Sequence, residues 1–223
     1  MPEMKTFLKR AILFDLDGVL VDSAIPVEKG WRKWAERHGL NPEEVVGAAH
    51  GRRTIETVRD FMPQVDAETE AAALDHGEAE DLAGLRVVPG ASELIAQLPD
   101  GSWGICTSGT TEVATARLGF AGIPIPRVLV SSNAVKKGKP DPEPYLETAR
   151  QLRLSAADCL VIEDSPAGVL AGKRAGAKVI GVTTTNSARE LERADVIVRD
   201  LRSISAKAAG DFLRIVISSR AWT

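Results

Sequence analysis

The stretch FDLDGVLVDS, residues 14–23, follows the apolar run AILF and places acids at positions 15, 17 and 22. Side chains two apart on an extended segment point the same way, so Asp15 and Asp17 crowd one another where a predicted strand ends. Paired carboxylates are unfavourable unless a cation, a hydrogen-bond network or a shared proton compensates. The stretch therefore reads as a buried strand that runs into a site, with the compensation supplied from elsewhere in the chain.

Beyond it, short apolar runs alternate with helical patterns. Strands are expected at residues 11–14, 103–106, 128–130, 159–162, 179–182 and 196–198, and helices at 91–98, 111–118, 144–152, 167–175 and 188–192. Strand and helix in turn, punctuated by Gly and Pro, predict an α/β fold with a parallel sheet covered on both faces. Such sheets bind ligands beyond the carboxyl ends of their strands. From Ser23 to about Leu85 the rhythm breaks. Helix patterns run instead through EKGWRKWAERHGL, TIETVRDFM and AETEAAALDHGEAEDLA. An all-helical insertion there predicts a cap over residues 23–86, hinged near Ser23 and RVVPG, on a core formed by residues 1–22 and 87–223.

The chain has 223 residues, 44% hydrophobic and 26% charged, as in a folded globular protein. A net charge of -3 argues against a general nucleic-acid surface or an acidic-membrane surface, so any anion site has to be built locally. Cys106 and Cys159 lie in apolar runs without metal-ligand spacing and read as reduced core residues. AILF is too short for a signal peptide and no stretch approaches a membrane span, so a cytoplasmic protein is expected.

Each candidate for chemistry follows a predicted strand. Asp15 and Asp17 follow the first, and TSGTTE, with Ser108, Gly109 and Thr110, follows WGIC. KKGKPDPEPY follows the third, and Glu163 and Asp164 follow CLVI. Neighbouring strand ends would bring several carboxylates, a hydroxyl and a lysine into one cavity.

FDLDGVLVDS, CTSGT, GKPDPEPY and VIEDSPAG resemble, in order and character, the four signature segments of the haloacid dehalogenase superfamily. HGRRTIETVRDF and PGASELIAQLPDGSWGICTSGT look most like its glycerol-3-phosphate and 2-deoxyglucose-6-phosphate phosphatases. The likeness extends to about Thr185. It implies a Rossmann-like parallel-sheet core with an inserted all-α cap, and a phosphatase acting on a small phosphorylated metabolite such as a sugar or polyol phosphate. It further implies Asp15 as nucleophile and Asp17 as general acid and then base. Magnesium would bind the Asp15 carboxylate, the Asp17 carbonyl and Asp164, with Glu163 either an outer ligand or a partner for the lysine. Ser108 and the backbone near Gly109 would hold the phosphoryl group, and Lys139 would neutralise it. The cation matters energetically. A carboxylate ~4 Å from each phosphate charge is repelled by ~4 kcal/mol at an effective dielectric of ~20.

Blander readings exist for several of these residues. Asp15 and Asp17 before Gly18 could form a turn, and Asp22 and Ser23 are expected to cap the next helix. Ser108 could cap a helix as well as bind phosphate. Two of Lys136, Lys137 and Lys139 read as solvated, and Lys139 is chosen because Pro140 holds its backbone extended. GVLAGK, residues 168–173, has the wrong spacing for a nucleotide phosphate loop. His50, Arg52, Arg53 and Thr54 suit a cap loop that reads substrate, or else a helix start with solvated arginines. Trp31 and Trp34 are expected to pack inside the cap.

The competing activity is a hexose-phosphate mutase of the beta-phosphoglucomutase type. Those relatives carry a cap histidine and a cap arginine where this chain has Val27 and Thr54, with Arg53 adjacent. Dehalogenation is disfavoured by the acid at position 17, and a non-catalytic sensor by the filled catalytic positions.

Overall fold

The computed structural model describes residues 4–218. In chain order its elements are β1 (Lys5–Lys9), β2 (Ala11–Phe14), β3 (Val21–Asp22), α1 (Ala24–Arg37), α2 (Pro42–Ala49), α3 (Thr54–Phe61) and α4 (Ala67–Glu80). There follow β4 (Arg86–Val87), α5 (Ala91–Ile95), β5 (Trp103–Cys106), α6 (Thr111–Ala121), β6 (Leu129–Val130) and α7 (Glu143–Gln151). The chain then runs through β7 (Cys159–Glu163), α8 (Pro166–Arg174), β8 (Lys178–Val182), β9 (Val196–Val198), β10 (Ile204–Ala209) and β11 (Phe212–Ile217).

Six strands form a sheet in the order β6-β5-β2-β7-β8-β9, every neighbouring pair parallel. β2, β5 and β7 are buried along their whole length, which is why they read as continuous apolar runs. Alternate residues serve different layers. Ile12, Phe14, Leu160 and Ile162 pack in one cluster, and Ala11, Leu13, Cys159 and Val161 in the other. Cys106 and Cys159 are buried free thiols in the second layer, each pushed up to about 12 by that burial.

The cap is α1–α4. Trp31 and Trp34 meet edge to face at 5.5 Å and anchor its own apolar cluster, with Val45, Val46 and Val58. Its two connections to the sheet are not plain coil. β3 and β4 pair antiparallel through Val21 with Val87 and Asp22 with Arg86, so both hinge strands are tied together.

Two features depart from the sequence expectation. Residues 188–192 form hydrogen-bonded turns rather than a helix: Glu190 and Leu191 both donate to the Ser187 carbonyl, and the turn ends where the Ala194 N–H bonds Leu191. Only Leu191 there is buried, too little apolar surface to hold a longer helix. Beside the main sheet stands a second, antiparallel one in the order β1-β11-β10. Its inward residues Ile204, Ala206, Leu213, Ile215 and Ile217 join the cluster of Ile12 and Phe14.

Candidate active site

The carboxyl ends of β2, β5 and β7 meet beneath the cap. The Asp15 N–H is held by the Ile162 carbonyl at 2.9 Å, which continues the β2–β7 ladder past the end of β2. One Asp15 oxygen accepts the Leu16 N–H at 2.7 Å, and the other lies 2.9 Å from Lys139 Nζ. Lys139 is buried and donates to Glu163 Oε1 at 2.7 Å and to the Cys106 carbonyl at 3.3 Å. The lysine thus sits between two carboxylates in a water-poor layer.

Glu163 has both oxygens engaged. Oε1 takes Lys139 and the Tyr145 hydroxyl, at 2.7 and 2.9 Å. Oε2 takes the N–H groups of Asp164 and Ser165 and the Ser165 hydroxyl, at 2.9 to 3.0 Å. A side chain at residue 168 would run into it, since a Cβ there would lie 1.7 Å from Oε1; Gly168 is what lets α8 begin against this carboxylate. Ser165 caps α8 by accepting the Gly168 N–H, with Pro166 in its first turn. The start of α8 therefore fixes both acids that precede it. Of the two roles the sequence leaves open for Glu163, its contacts are those of a lysine partner.

Asp164 turns the other way, accepting from the Thr185 hydroxyl while its carbonyl accepts from Asn186. A Cβ on Gly18 would come within 1.8 Å of its Oδ2, and Gly18 has φ +73°, so glycine is required there twice over. One oxygen each of Asp15, Glu163 and Asp164 lies within 4.8 Å of the others.

The electrostatics are those of an overcrowded anion cluster. Burial, reinforced by the Glu163 charge, raises Asp15 well above the ordinary carboxylate range despite Lys139. Burial and Glu163 push Asp164 up to about 8. Burial opposes charge on Glu163 too, but Lys139 and the hydrogen bonds outweigh it and hold this acid below its usual value. Lys139 is raised because the charges of Asp15 and Glu163 overcome its desolvation. Fully ionised, three acids with one lysine would carry an excess of negative charge, which is what raises Asp15 and Asp164 and what a hard divalent cation would balance, through carboxylates of the kind it prefers. The residues fit such an ion.

Asp17 extends into the cavity beside Asp15, 29% exposed. Its Oδ1 accepts from Ser23 and from Arg117 Nη1, each at 2.7 Å. Ser23 therefore does not cap α1 as expected; its hydroxyl is committed to Asp17, and Asp22 takes the local role by accepting the Ala24 N–H. Ser108 is no helix cap either: Thr110 caps α6, and Ser108 donates to the cap carbonyl of Gly51 at 2.9 Å. Ser108 and Gly109 line the same cavity as Asp15, Asp17 and Asp164.

From the cap, His50, Arg52 and Thr54 also line it, with Val27, Trp31 and Glu78. His50 Nδ1 shares a hydrogen with the Val46 carbonyl, Arg52 pairs with Asp60 at its rim, and Thr54 donates to Asp75. Arg53, expected to read substrate, faces away. Its guanidinium is satisfied by Glu56 and by the carbonyls of Val135 and Lys136, where it ties the cap to the core. Glu78, Arg117, Thr185 and Tyr145 were not singled out in the sequence. Tyr145 closes the segment GKPDPEPY without a role being read for it, whereas the other three stand alone inside ordinary helix or loop patterns, and no spacing marks them.

The chain is similar to known proteins in sequence and in fold. The family model for haloacid dehalogenase-like hydrolases matches residues 9–176. The chain is 43% identical over 201 residues to hexitol phosphatase A of Escherichia coli strain K12, covering 88% of this chain and 93% of that protein. It is 34% identical to glycerol-1-phosphate phosphohydrolase 2 of Saccharomyces cerevisiae, covering 87% and 83%. A crystal structure of a hydrolase from Pseudomonas syringae superposes with a TM-score of 0.75 at 27% identity, covering 86% of this chain and 94% of that one.

Proposed function

The chain belongs to the haloacid dehalogenase-like hydrolase family, and from that premise we propose that it hydrolyses phosphate monoesters of small sugars or polyols through a phosphoaspartyl intermediate. The observation that carries the reading is the buried Asp15–Lys139–Glu163 chain with Asp164 beside it, of which Asp15 and Asp164 line a cavity between core and cap.

A carboxylate oxygen of Asp15 forms the new bond to phosphorus while the bond from phosphorus to the alkyl oxygen breaks. Asp17 gives its proton to the departing alkoxide, so the alcohol leaves neutral. The same carboxylate then takes a proton from a water that attacks phosphorus, releasing inorganic phosphate and restoring Asp15. Ser108 and backbone N–H groups near Gly109, whose own N–H donates to Thr107 Oγ1, hold phosphoryl oxygens, and Lys139 offsets the charge that accumulates as ester and carboxylate meet. Magnesium, bound by the carboxylates of Asp15 and Asp164 and the Asp17 carbonyl, would supply the positive charge that lets two anions approach. Glu163 acts as the anchor of Lys139 rather than as a ligand.

Residues 23–86 would move as a unit on the paired strands β3 and β4, opening to admit substrate and closing to keep bulk water from the intermediate. His50, Arg52 and Thr54 would meet the hydroxyls of the substrate. The known curated relatives named above act, by their names, on hexitol and glycerol phosphates, which fits a cavity lined by such polar cap groups. Val27, where the mutases carry a histidine, brings an apolar side chain to the cavity and favours hydrolysis over transfer back to sugar.

The deciding experiment is phosphate release from a panel of hexitol, glycerol and deoxyhexose phosphates, with and without EDTA. Metal-dependent turnover of at least one ester is expected. An inert panel, or phosphorus NMR showing isomerisation without phosphate, would overturn the proposal.

A further inference from the structure

Arg117 lies on α6, outside every motif that marks the site, and its side chain is 3% exposed. Its two terminal nitrogens are divided between the two parts of the molecule. Nη1 donates to Asp17 Oδ1 of the core and Nη2 to Glu78 Oε2 of the cap helix α4, each at 2.7 Å. The third donor, Nε, is buried without a partner, a cost that helix packing alone would not select. The planar, rigid guanidinium fixes the spacing of the two carboxylates it joins.

Asp17 shows the effect. Ser23 and Arg117 both bond Oδ1, whereas Oδ2 accepts no hydrogen bond among the described residues. One oxygen is pinned and the other is left without a hydrogen bond, on a partly exposed side chain that lines the cavity. The pin itself depends on the cap, since Glu78 holds the opposite side of the same guanidinium. Glu78 is nearly buried, and burial pushes its carboxyl up to about 7, so its charge is sustained there by Arg117 rather than by water.

Taking the phosphatase reading as its basis, we propose that Arg117 is a positioning residue for the acid–base carboxylate: with Glu78 as its tether on the cap, it presents Asp17 Oδ2 for proton transfer when α4 rests against α6. The residue touches no reacting atom. Its role is to make the proton-transfer geometry a property of the closed molecule.

The inference is tested by leaving-group dependence. An alkoxide needs a proton to depart, whereas 4-nitrophenolate does not, and kcat/KM reports the steps through phosphoryl transfer. In R117K, which keeps the charge but cannot span both partners, kcat/KM for glycerol phosphate is expected to fall ~100-fold and for 4-nitrophenyl phosphate by less than ~5-fold. E78A, which cuts only the tether, is expected to show the same bias in smaller measure, and serves if R117K melts out of the assay range. Equal losses on both esters, or no loss on either, would assign the pair a merely structural role and overturn the inference. Should glycerol phosphate not be turned over, the hexitol or deoxyhexose phosphate that is takes its place as the alkyl ester; failure of the unaltered protein on the whole panel and on 4-nitrophenyl phosphate would instead overturn the phosphatase reading, and the inference with it.

Discussion

Charge on Asp15 is disfavoured by its surroundings: burial and Glu163 oppose it, and Lys139 compensates only in part. Replacing it with Asn should leave the fold intact and reduce phosphate release by at least ~1000-fold, because an amide oxygen cannot form the acyl phosphate. Full activity in D15N would remove the assigned nucleophile. Gly18 allows an equally sharp test. In G18A the new Cβ would overlap the Asp164 carboxylate, at a position whose φ of +73° costs a non-glycine residue ~1–2 kcal/mol by itself. Loss of thermal stability and a higher magnesium concentration for half-maximal activity are expected together; an unchanged metal requirement would separate Gly18 from the ion. At this scale the acids were legible because like charges at spacing two demand an explanation. Arg117 and Glu78 were not, since α4 and α6 have little amphipathic pattern to mark a buried face, and one arginine and one glutamate there look like solvated charges until the fold buries them.

Among the elements, Asp195 shows how the far side of the sheet is locked. It precedes β9 and accepts from Lys173 of α8, from Lys178 of β8 and from the Val179 N–H. Burial opposes its charge, but those bonds outweigh it and hold the carboxyl down at about 2 from an ordinary 3.8. A lowered value means stability present above the unfolded value and lost as pH falls through the folded one. D195N should therefore cost ~2 kcal/mol in urea unfolding at neutral pH, and the gap to the unaltered protein should close between about pH 4 and pH 2. A gap independent of pH would mean that shape, not charge, is what Asp195 provides. The six core strands were readable because strands buried on both faces are unbroken apolar runs. The second sheet was less readable: β11 alternates outward and buried positions, but its sequence FLRIVI is apolar everywhere except Arg214, so the outward Phe212 and Val216 hide the alternation.

For the whole molecule, the cap–core closure rests on a few polar contacts: Ser108 to Gly51, Arg53 to Val135 and Lys136, Arg117 to Glu78 and His76 to Glu112. Apart from the buried Arg117–Glu78 pair, such contacts are exchangeable with water, which suits a cap that opens and shuts. The surplus anionic charge beneath it predicts that magnesium raises the melting temperature. At 100 times its dissociation constant the ion should add ~2.7 kcal/mol, and EDTA should reverse the gain. A melt insensitive to both would mean the acids are balanced without it. The partition into cap and core was legible from the break in strand rhythm; the contacts that shut one against the other join residues too distant in sequence to be foreseen. The small antiparallel sheet has a kinetic corollary. β1 pairs with β11, roughly 200 residues downstream, and leads by a single residue into the strand that ends at Asp15. On the ribosome, β1 must wait, unmated, until the roughly 200 residues up to β11 have emerged, so the β10–β11 hairpin completes the support behind the nucleophile.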